Sequence, residues 1–197
     1  MTKVHHAYDS LQELILNRFL NIVRKKLRLK DTTLRKKCSK IKFVLSDVDG
    51  VLTDGGMYYS ETGKILKKFN TKDGMAVELL KENGIETIFI TKENSTIAKK
   101  RALKLNLLAC YTGIKNKELH LQKILKKYKT TSEELVYIGD DVNDLEIMKL
   151  VGFSAAPKDC NEKIKKICHY LCKKNGGEGV LREVADLIID SKKSKND

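Results

Sequence analysis

The sequence predicts an α/β fold in which helices cover both faces of a parallel sheet. From residue 41 onward, short apolar runs that suit buried strands alternate with helical patterns, an alternation typical of parallel sheets. The first apolar run, residues 43–45, leads directly into Asp47, Asp49 and a glycine. A buried strand that ends in a polar turn is typical of a ligand site at the carboxyl edge of such a sheet.

The predicted elements follow one another in chain order. Strands are expected at residues 41–46, 86–90, 107–111, 135–138 and 152–155. Helices are expected at residues 73–83, 95–105, 116–128, 142–150, 159–167 and 180–190. Between the first strand and the first helix, the runs 57–59 and 65–66 flank the turn Glu61-Thr62-Gly63. This pattern predicts a β-hairpin that lies beside the site as a small flap.

Composition limits the class of protein. The chain has 197 residues and five cysteines without tight pairing, which fits reduced thiols in a cytosol. It has no apolar run long enough to span a membrane and no pattern of a secretory signal, so we expect a cytoplasmic protein. The net charge is +13, and residues 1–40 contribute eleven Lys/Arg against three Asp/Glu.

Charge and periodicity divide the chain into three parts. Residues 1–40 form a basic extension, with an amphipathic helix over 9–29 and a charged linker over 30–40. The enzyme-like domain covers 41–190, and a disordered tail follows over 191–197. The helix leaves three roles open: docking on the domain, pairing with another subunit, or lying on a membrane surface. Protein docking is favoured because apolar stripes usually face protein, and no nucleic-acid partner is expected.

Polar residues fall at four predicted strand ends. Asp47 and Asp49 follow the first strand, Thr91 follows the second, Lys117 comes after the third, and residues 139–144 (Gly-Asp-Asp-Val-Asn-Asp) follow the fourth. Two carboxylates as close as the first pair repel unless a cation or a shared proton separates them. Together the four groups supply a nucleophile, a hydroxyl, a cation and metal-binding acids, which is the inventory for phosphoryl transfer. Taken singly, each has a structural explanation as a turn, a helix cap or a solvated lysine.

These motifs resemble the haloacid dehalogenase-like phosphohydrolases. The resemblance rests on DVDGVLTDG, the threonine after the second strand, the lysine and GDDVND, and it covers residues 41–190. The short hairpin instead of a cap domain, FNTKDG and GGEGVLREV are similar to the small capless subfamily. That subfamily holds the 3-deoxy-octulosonate (KDO) 8-phosphate phosphatases and the nonulosonate (KDN or N-acylneuraminate) 9-phosphate phosphatases. It implies a Rossmann-like parallel sheet.

The resemblance implies a two-step, Mg²⁺-dependent phosphatase mechanism. Asp47 would attack phosphorus and form an aspartyl-phosphate, while Asp49 would protonate the leaving oxygen and then deprotonate the water. Mg²⁺ would be held by Asp47, the backbone carbonyl of Asp49, and Asp140. Thr91 and Lys117 would bind the phosphoryl oxygens. The residues expected to support the metal ligands are Asp141 or Asp144.

The same resemblance gives expectations about substrate and assembly. Glu93, with Lys104 on the following helix, resembles the nonulosonate enzymes, whereas the octulosonate enzymes typically carry an arginine at the position of Glu93. The main expectation is therefore a nonulosonate 9-phosphate; KDO 8-phosphate and a non-catalytic assembly domain of sialate activation are the alternatives. Family members are usually homotetramers. The residues expected to bind the sugar phosphate, in addition to Glu93 and Lys104, are Asn70, Thr71, Asp73, Gly74 and Arg101.

Overall fold

The computed structural model describes residues 32–63 and 65–193 of the chain. A compact unit that begins at Lys37 contains all the strands described below. The predicted helix over 9–29 lies outside the described residues and stays a prediction. The predicted linker over 30–40 is wrong in part, because residues 32–38 are helical. Lysine, arginine and leucine, which dominate this stretch, are good helix formers, and a high charge does not by itself exclude a helix.

A parallel sheet of six strands lies at the centre of the unit, with a separate hairpin. The strands are β1 (Phe43–Ser46), β2 (Tyr58–Tyr59), β3 (Ile65–Leu66), β4 (Glu86–Ile90), β5 (Ala109–Tyr111), β6 (Leu135–Ile138), β7 (Phe153–Ala156) and β8 (Tyr170–Leu171). The sheet order is β5-β4-β1-β6-β7-β8, and β2 and β3 pair antiparallel as the predicted hairpin. The predicted α/β fold is confirmed. The edge strand β8 was not predicted, because two residues are too few to show a strand pattern.

The helices lie near the predicted positions and differ mainly at their ends. They are α1 (Thr71–Glu82), α2 (Thr96–Lys104), α3 (Lys117–Tyr128), α4 (Leu145–Leu150), α5 (Glu162–Ile167) and α6 (Val180–Lys193). The helix α1 begins two residues before its predicted start because the side chain of Asn70 caps it, accepting from the backbone N–H of Lys72 at 3.0 Å. The helix α6 ends three residues beyond the predicted boundary at 190. None of the helices within 32–63 and 65–193 is both long and apolar enough to cross a membrane.

Helices cover the two faces of the sheet through alternating side chains. On one face, Leu45, Ile88 and Tyr137 are buried in a cluster with Leu121 of α3 and Ile147 of α4. Successive residues of a strand point to opposite faces, and the other face is covered by α1 and α6, which pack on each other. Because the strands are buried on both faces, their sequences are continuous apolar runs rather than alternations of apolar and polar residues.

A buried carboxylate joins α1 to α6. Asp73 of α1 is 3% exposed, and its Oδ1 accepts a hydrogen bond from the backbone N–H of Arg182 at 3.1 Å, in the first turn of α6. Its Oδ2 is buried without a partner. Burial raises the pKa of Asp73 from 3.8 to about 6, against the lowering effects of the backbone N–H groups of Arg182 and Leu181 and of the Arg101 charge.

Replacing Asp73 with asparagine tests this junction. Since the pKa of Asp73 is raised to about 6 in the folded state, the folded protein keeps a proton that the unfolded chain releases. The contribution of this group to stability therefore falls as the pH rises from about 4 to about 6. Relative to wild type, Asp73→Asn should gain roughly 2–3 kcal/mol in free energy of unfolding over that window and keep it at higher pH. Urea unfolding of both proteins at about pH 4 and about pH 7 measures the difference.

The exposed carboxylate Asp186 on the same helix provides the control. Asp186→Asn should show no gain of this kind between the two pH values. If the free energies of unfolding of Asp73→Asn and wild type differ by the same amount at both pH values, Asp73 is not a buried carboxylate with a raised pKa.

Candidate active site

Asp47 and Asp140 follow neighbouring strands at the carboxyl edge of the sheet. The backbone N–H of Asp47 donates to the carbonyl oxygen of Ile138 at 2.9 Å, which continues the pairing of β1 with β6 to their ends. The chain places β4 and β5 on one side of β1 and β6, β7 and β8 on the other. The strand order therefore reverses between β1 and β6, and open α/β sheets bind ligands at this kind of point.

The carboxylate of Asp47 is nearly buried. Its side chain accepts from the backbone N–H of Val48 at 2.7 Å through Oδ1, and Oδ2 lies 2.7 Å from the Nζ atom of Lys117. Burial raises the pKa of Asp47 from 3.8 to about 7, the charge of Asp144 adds to the rise, and Lys117 opposes it. One ammonium group only partly offsets burial, so this carboxylate favours a second cation nearby.

Lys117 lies at the start of α3 and is completely buried. Besides Asp47, its Nζ atom contacts Oδ1 of Asp144 at 2.6 Å. The same oxygen accepts from the hydroxyl of Tyr137 at 2.7 Å, and Oδ2 accepts from the backbone N–H of Asp140 at 3.0 Å. Asp144 thus fixes both the lysine and the loop that carries Asp140.

The acidic residues at the end of the sheet fit a divalent cation. One side-chain oxygen from each of Asp47, Asp140 and Asp144 lies within 4.8 Å of the others. Burial raises the pKa of Asp140 to about 8, and the charges of Asp47 and Asp144 add to it. Each Asp144 oxygen already has two partners, among them Lys117 and Tyr137, whereas each Asp47 oxygen has only one. Asp47 and Asp140 are therefore the side chains with lone pairs left for a metal. Oxygen ligands of this kind suit Mg²⁺.

Gly50 allows the close approach of Asp140. Its backbone has φ +80°, and a Cβ atom at this position would lie 2.0 Å from Oδ2 of Asp140. Behind it, a Cβ on Gly176 would lie 2.2 Å from the carbonyl oxygen of Gly50. The glycine segment 176–179 therefore packs against the backbone of the loop after β1 and supports it from behind.

An open cavity of about 530 Å³ lies over these carboxylates. Its lining residues are Asp47, Asp49, Gly50, Gly55, Met57, Thr91, Lys92, Glu93, Asp140, Asp141 and Asn143. Thr91 is buried, and its Oγ1 accepts from the backbone N–H of Glu93 at 3.2 Å. The alternative role of Thr91 as a helix cap is wrong, because Ser95 caps α2. A hydroxyl that accepts one bond still has a hydrogen to donate toward a phosphoryl group.

A second lysine, whose side chain is buried, contacts residues at the edge of the cavity. The Nζ atom of Lys67, directly after β3, lies 2.6 Å from Oδ1 of Asp49 and also bonds to the carboxylate of Glu93. Burial raises the pKa of Asp49, and Lys67 opposes the rise. Two acidic residues that the sequence predicted for the site are therefore joined by a cation that it did not predict.

Most of the residues expected at the sugar do not line this cavity. Asn70 donates to the carbonyl oxygen of Gly177 at 3.0 Å, and Arg101 donates to the carbonyl oxygen of Asn70 at 3.2 Å and stacks over Phe69. Gly74 packs beside Arg101. These contacts join α1, α2 and the glycine segment within the subunit. The other expected residues that the structure leaves outside the cavity lining are Thr71, Asp73 and Lys104.

The site also contains residues that sequence reasoning missed. They are Lys67 and Tyr137. Asn143, which lines the cavity, lies in the predicted 139–144 motif but had no role assigned to it. Tyr137 is part of an apolar strand, so its hydroxyl carried no signal. Lys67 is one of two adjacent lysines after the hairpin, and the excess of acidic residues at the site is the signal that could have indicated a second buried cation.

Comparison with known proteins agrees with this site. The sequence model of the haloacid dehalogenase-like hydrolases matches residues 105–184. The chain is 32% identical to the 3-deoxy-D-manno-octulosonate 8-phosphate phosphatase of Haemophilus influenzae over 158 residues, which cover 80% of this chain and 88% of that protein. It is 33% identical to the Yersinia pestis phosphatase of the same name over 153 residues, covering 78% and 82% of the two chains.

Solved structures show the same similarity. A putative hydrolase of subfamily III A from Legionella pneumophila superposes with a TM-score of 0.84 at 30% identity and covers 87% of this chain and 94% of its own. The 3-deoxy-D-manno-octulosonate 8-phosphate phosphatase of Moraxella catarrhalis, solved with magnesium, phosphate and KDO, has a TM-score of 0.79 at 31% identity and covers 83% and 94%. The site and these similarities together define a phosphatase.

The chain belongs to the haloacid dehalogenase-like hydrolases, and within them to the capless phosphatases of acidic sugars. It is a phosphoric monoester hydrolase. The family resemblance of residues 41–190 is confirmed.

Binding of Mg²⁺ to Asp47 and Asp140 should be measurable without activity. At a hundredfold excess over its Kd, Mg²⁺ should raise the Tm by roughly 5–10 °C, because a cation relieves the repulsion between buried carboxylates. Asp140→Asn should lose most of this shift. Since the pKa of Asp140 is raised to about 8 in the metal-free fold, folding near neutral pH requires this carboxyl group to take up a proton that the unfolded chain has released. Asp140→Asn avoids this cost, so the metal-free variant should melt above metal-free wild type.

Differential scanning fluorimetry with and without Mg²⁺ measures both effects. Asp186→Asn is the control. It removes an exposed carboxylate that is not part of the site, and it should keep the full increase in Tm with Mg²⁺. A full Mg²⁺ shift in Asp140→Asn would contradict the metal site.

Proposed function

We propose that this chain is an Mg²⁺-dependent phosphatase that hydrolyses 3-deoxy-D-manno-octulosonate 8-phosphate. The observation that carries the proposal is the buried Asp47, paired with Lys117 and adjacent to Asp140, at the bottom of an open cavity. A buried carboxylate that a lysine and a metal keep ionised is suited to attack phosphorus. The choice of substrate follows the relatives named as phosphatases of this acidic sugar.

The residues of the cavity support a two-step mechanism. Asp47 attacks phosphorus, a bond forms between its carboxylate oxygen and phosphorus, and the bond from phosphorus to the sugar oxygen breaks as Asp49 protonates that oxygen. Asp49 then removes a proton from water, which attacks phosphorus and releases phosphate and Asp47. Thr91 and the third N–H of Lys117 donate to the phosphoryl oxygens. Asp47, the backbone carbonyl of Asp49 and Asp140 would hold Mg²⁺, which would supply positive charge to the phosphoryl group.

The structure weakens the case for a nonulosonate 9-phosphate. Of the two residues that favoured it, Lys104 is exposed on α2 and outside the cavity lining, while Glu93 lines the cavity but has its charge paired with Lys67. Glu93 nevertheless replaces the arginine that is typical of octulosonate phosphatases, so the nonulosonate phosphate remains the second candidate. The complete set of Asp47, Lys117 and Asp140 argues against a non-catalytic assembly domain.

The surface of the hairpin supports assembly into a homotetramer. Tyr58, Tyr59 and Leu66 are 58%, 68% and 67% exposed, and Met57 beside them is 44% exposed. Tyr58 pairs with Leu66 across the hairpin, whereas Tyr59 points to the opposite face and contacts Met57, so both faces expose apolar side chains. Exposed apolar surface indicates a protein interface, and a neighbouring hairpin is the partner that the family resemblance implies. Cytoplasmic location, the absence of a nucleic-acid partner and a membrane contact of the N-terminal helix stay predictions.

Steady-state kinetics on three substrates test the proposal. They are 3-deoxy-D-manno-octulosonate 8-phosphate, KDN 9-phosphate and N-acetylneuraminate 9-phosphate, assayed side by side with Mg²⁺. We expect the highest kcat/KM for the first, and we expect Asp47→Asn to lower it by roughly 10³-fold or more while its circular dichroism stays unchanged. A higher kcat/KM for either 9-phosphate would show that the substrate is a nonulosonate phosphate instead. Residual activity of Asp47→Asn near wild type would overturn the mechanism itself.

A further inference from the structure

Lys67, which directly follows an exposed hairpin, has a buried side chain. It directly follows Leu66, which is 67% exposed, yet the side chain of Lys67 is only 1% exposed. Its Nζ atom contacts Oδ1 of Asp49 at 2.6 Å and also bonds to Glu93. An ammonium group that has lost its water is stable only where charged partners replace that water. The two carboxylates therefore determine where Lys67 lies.

The next residue in the chain shows that the burial of the Lys67 side chain depends on its location rather than on its being a lysine. Lys68 carries the same side chain, but it is 72% exposed and its nearest carboxylate, that of Asp54, is 3.9 Å away. An exposed pair at this distance contributes little to stability. The two adjacent lysines thus differ in placement rather than in chemistry, and they form a matched pair for experiment.

Lys67 connects three separate parts of the cavity. Asp49 belongs to the loop after β1, Glu93 belongs to the loop after β4, and Lys67 itself belongs to the hairpin. Without an ammonium group between them, the carboxylates of Asp49 and Glu93 would repel each other. A proton donor works only when it lies within hydrogen-bond distance of the leaving oxygen, and the side chain of Asp49, which is 27% exposed, has room to turn away.

We propose that Lys67 is a positioning residue that holds Asp49 in place for proton transfer and so links the placement of the hairpin to catalysis. The inference rests on the proposed role of Asp49 as acid and base. Lys67 acts through Asp49. When Asp47 attacks, the bond from phosphorus to the leaving oxygen breaks and the proton of Asp49 moves to that oxygen. A displaced Asp49 slows this step only for leaving groups that need the proton.

Two aryl esters separate this role from a general structural one. The 4-nitrophenolate ion leaves without a proton, whereas phenolate is a much stronger base and needs one. For both esters kcat/KM reports steps up to the transfer of the phosphoryl group to Asp47, so the later attack of water does not affect the comparison. The esters contain no sugar, and the outcome is therefore independent of which acidic sugar phosphate the enzyme prefers.

The experiment uses the full chain with Mg²⁺ and compares Lys67→Met with Lys68→Met. Lys67→Met should lower kcat/KM for phenyl phosphate roughly 10- to 100-fold more than kcat/KM for 4-nitrophenyl phosphate. Lys68→Met should leave both values within about twofold of wild type, because its side chain is solvated. Thermal melting with and without Mg²⁺ verifies that each variant is folded and binds the metal.

Equal losses for the two esters in folded Lys67→Met would overturn the proposal, and so would no loss for either ester. If Lys67→Met does not fold, Lys67→Gln, which keeps a hydrogen-bond donor but no charge, replaces it, and the same ratio of the two losses decides. If the panel of acidic sugar phosphates fails while the aryl esters give the expected ratio, the proposed substrate is wrong and the role of Lys67 stands.

Discussion

The buried ammonium group of Lys117 is the interaction on which the rest of the site depends. It lies between Asp47 and Asp144, at 2.7 and 2.6 Å, with no exposure to solvent. Removing one partner of such a buried pair typically costs about 3–5 kcal/mol, because the remaining charge is left unpaired. Through Asp144 the same lysine holds the loop of Asp140, so the proposed nucleophile, the proposed phosphoryl-binding lysine and the proposed metal ligand are positioned together.

The edge of the cavity repeats this arrangement with a second lysine. Lys67 joins Asp49 to Glu93 as Lys117 joins Asp47 to Asp144, and both ammonium groups are withdrawn from water. The two clusters divide the proposed chemistry between attack on phosphorus and proton transfer. Lys117 does not fully offset the burial and mutual repulsion of Asp47 and Asp140, which favours a cation beside them.

The sequence predicted the parts of the site that lie next to strand ends. Asp47, Thr91 and Asp140 follow apolar runs, and the edge of a parallel sheet brings such positions together. Asp73 and Lys67 could not be placed in the same way, because their partners lie 109 and 26 residues along the chain and no local pattern encodes such contacts. Of the residues expected at the sugar, only Glu93 lines the cavity, while Asn70 and Arg101 bond within the subunit; a role of these residues in binding stays a prediction.

The most direct test of the account is to trap the phosphoryl group on the enzyme. Full-length protein with Mg²⁺ and 4-nitrophenyl phosphate is quenched in acid within the first turnover, digested and examined by mass spectrometry. The account predicts one phosphoryl group on the peptide that contains Asp47, with more of it trapped in Asp49→Asn, where deprotonation of the attacking water is slowed. Turnover without any phosphopeptide, or a phosphoryl group on another residue, would contradict it.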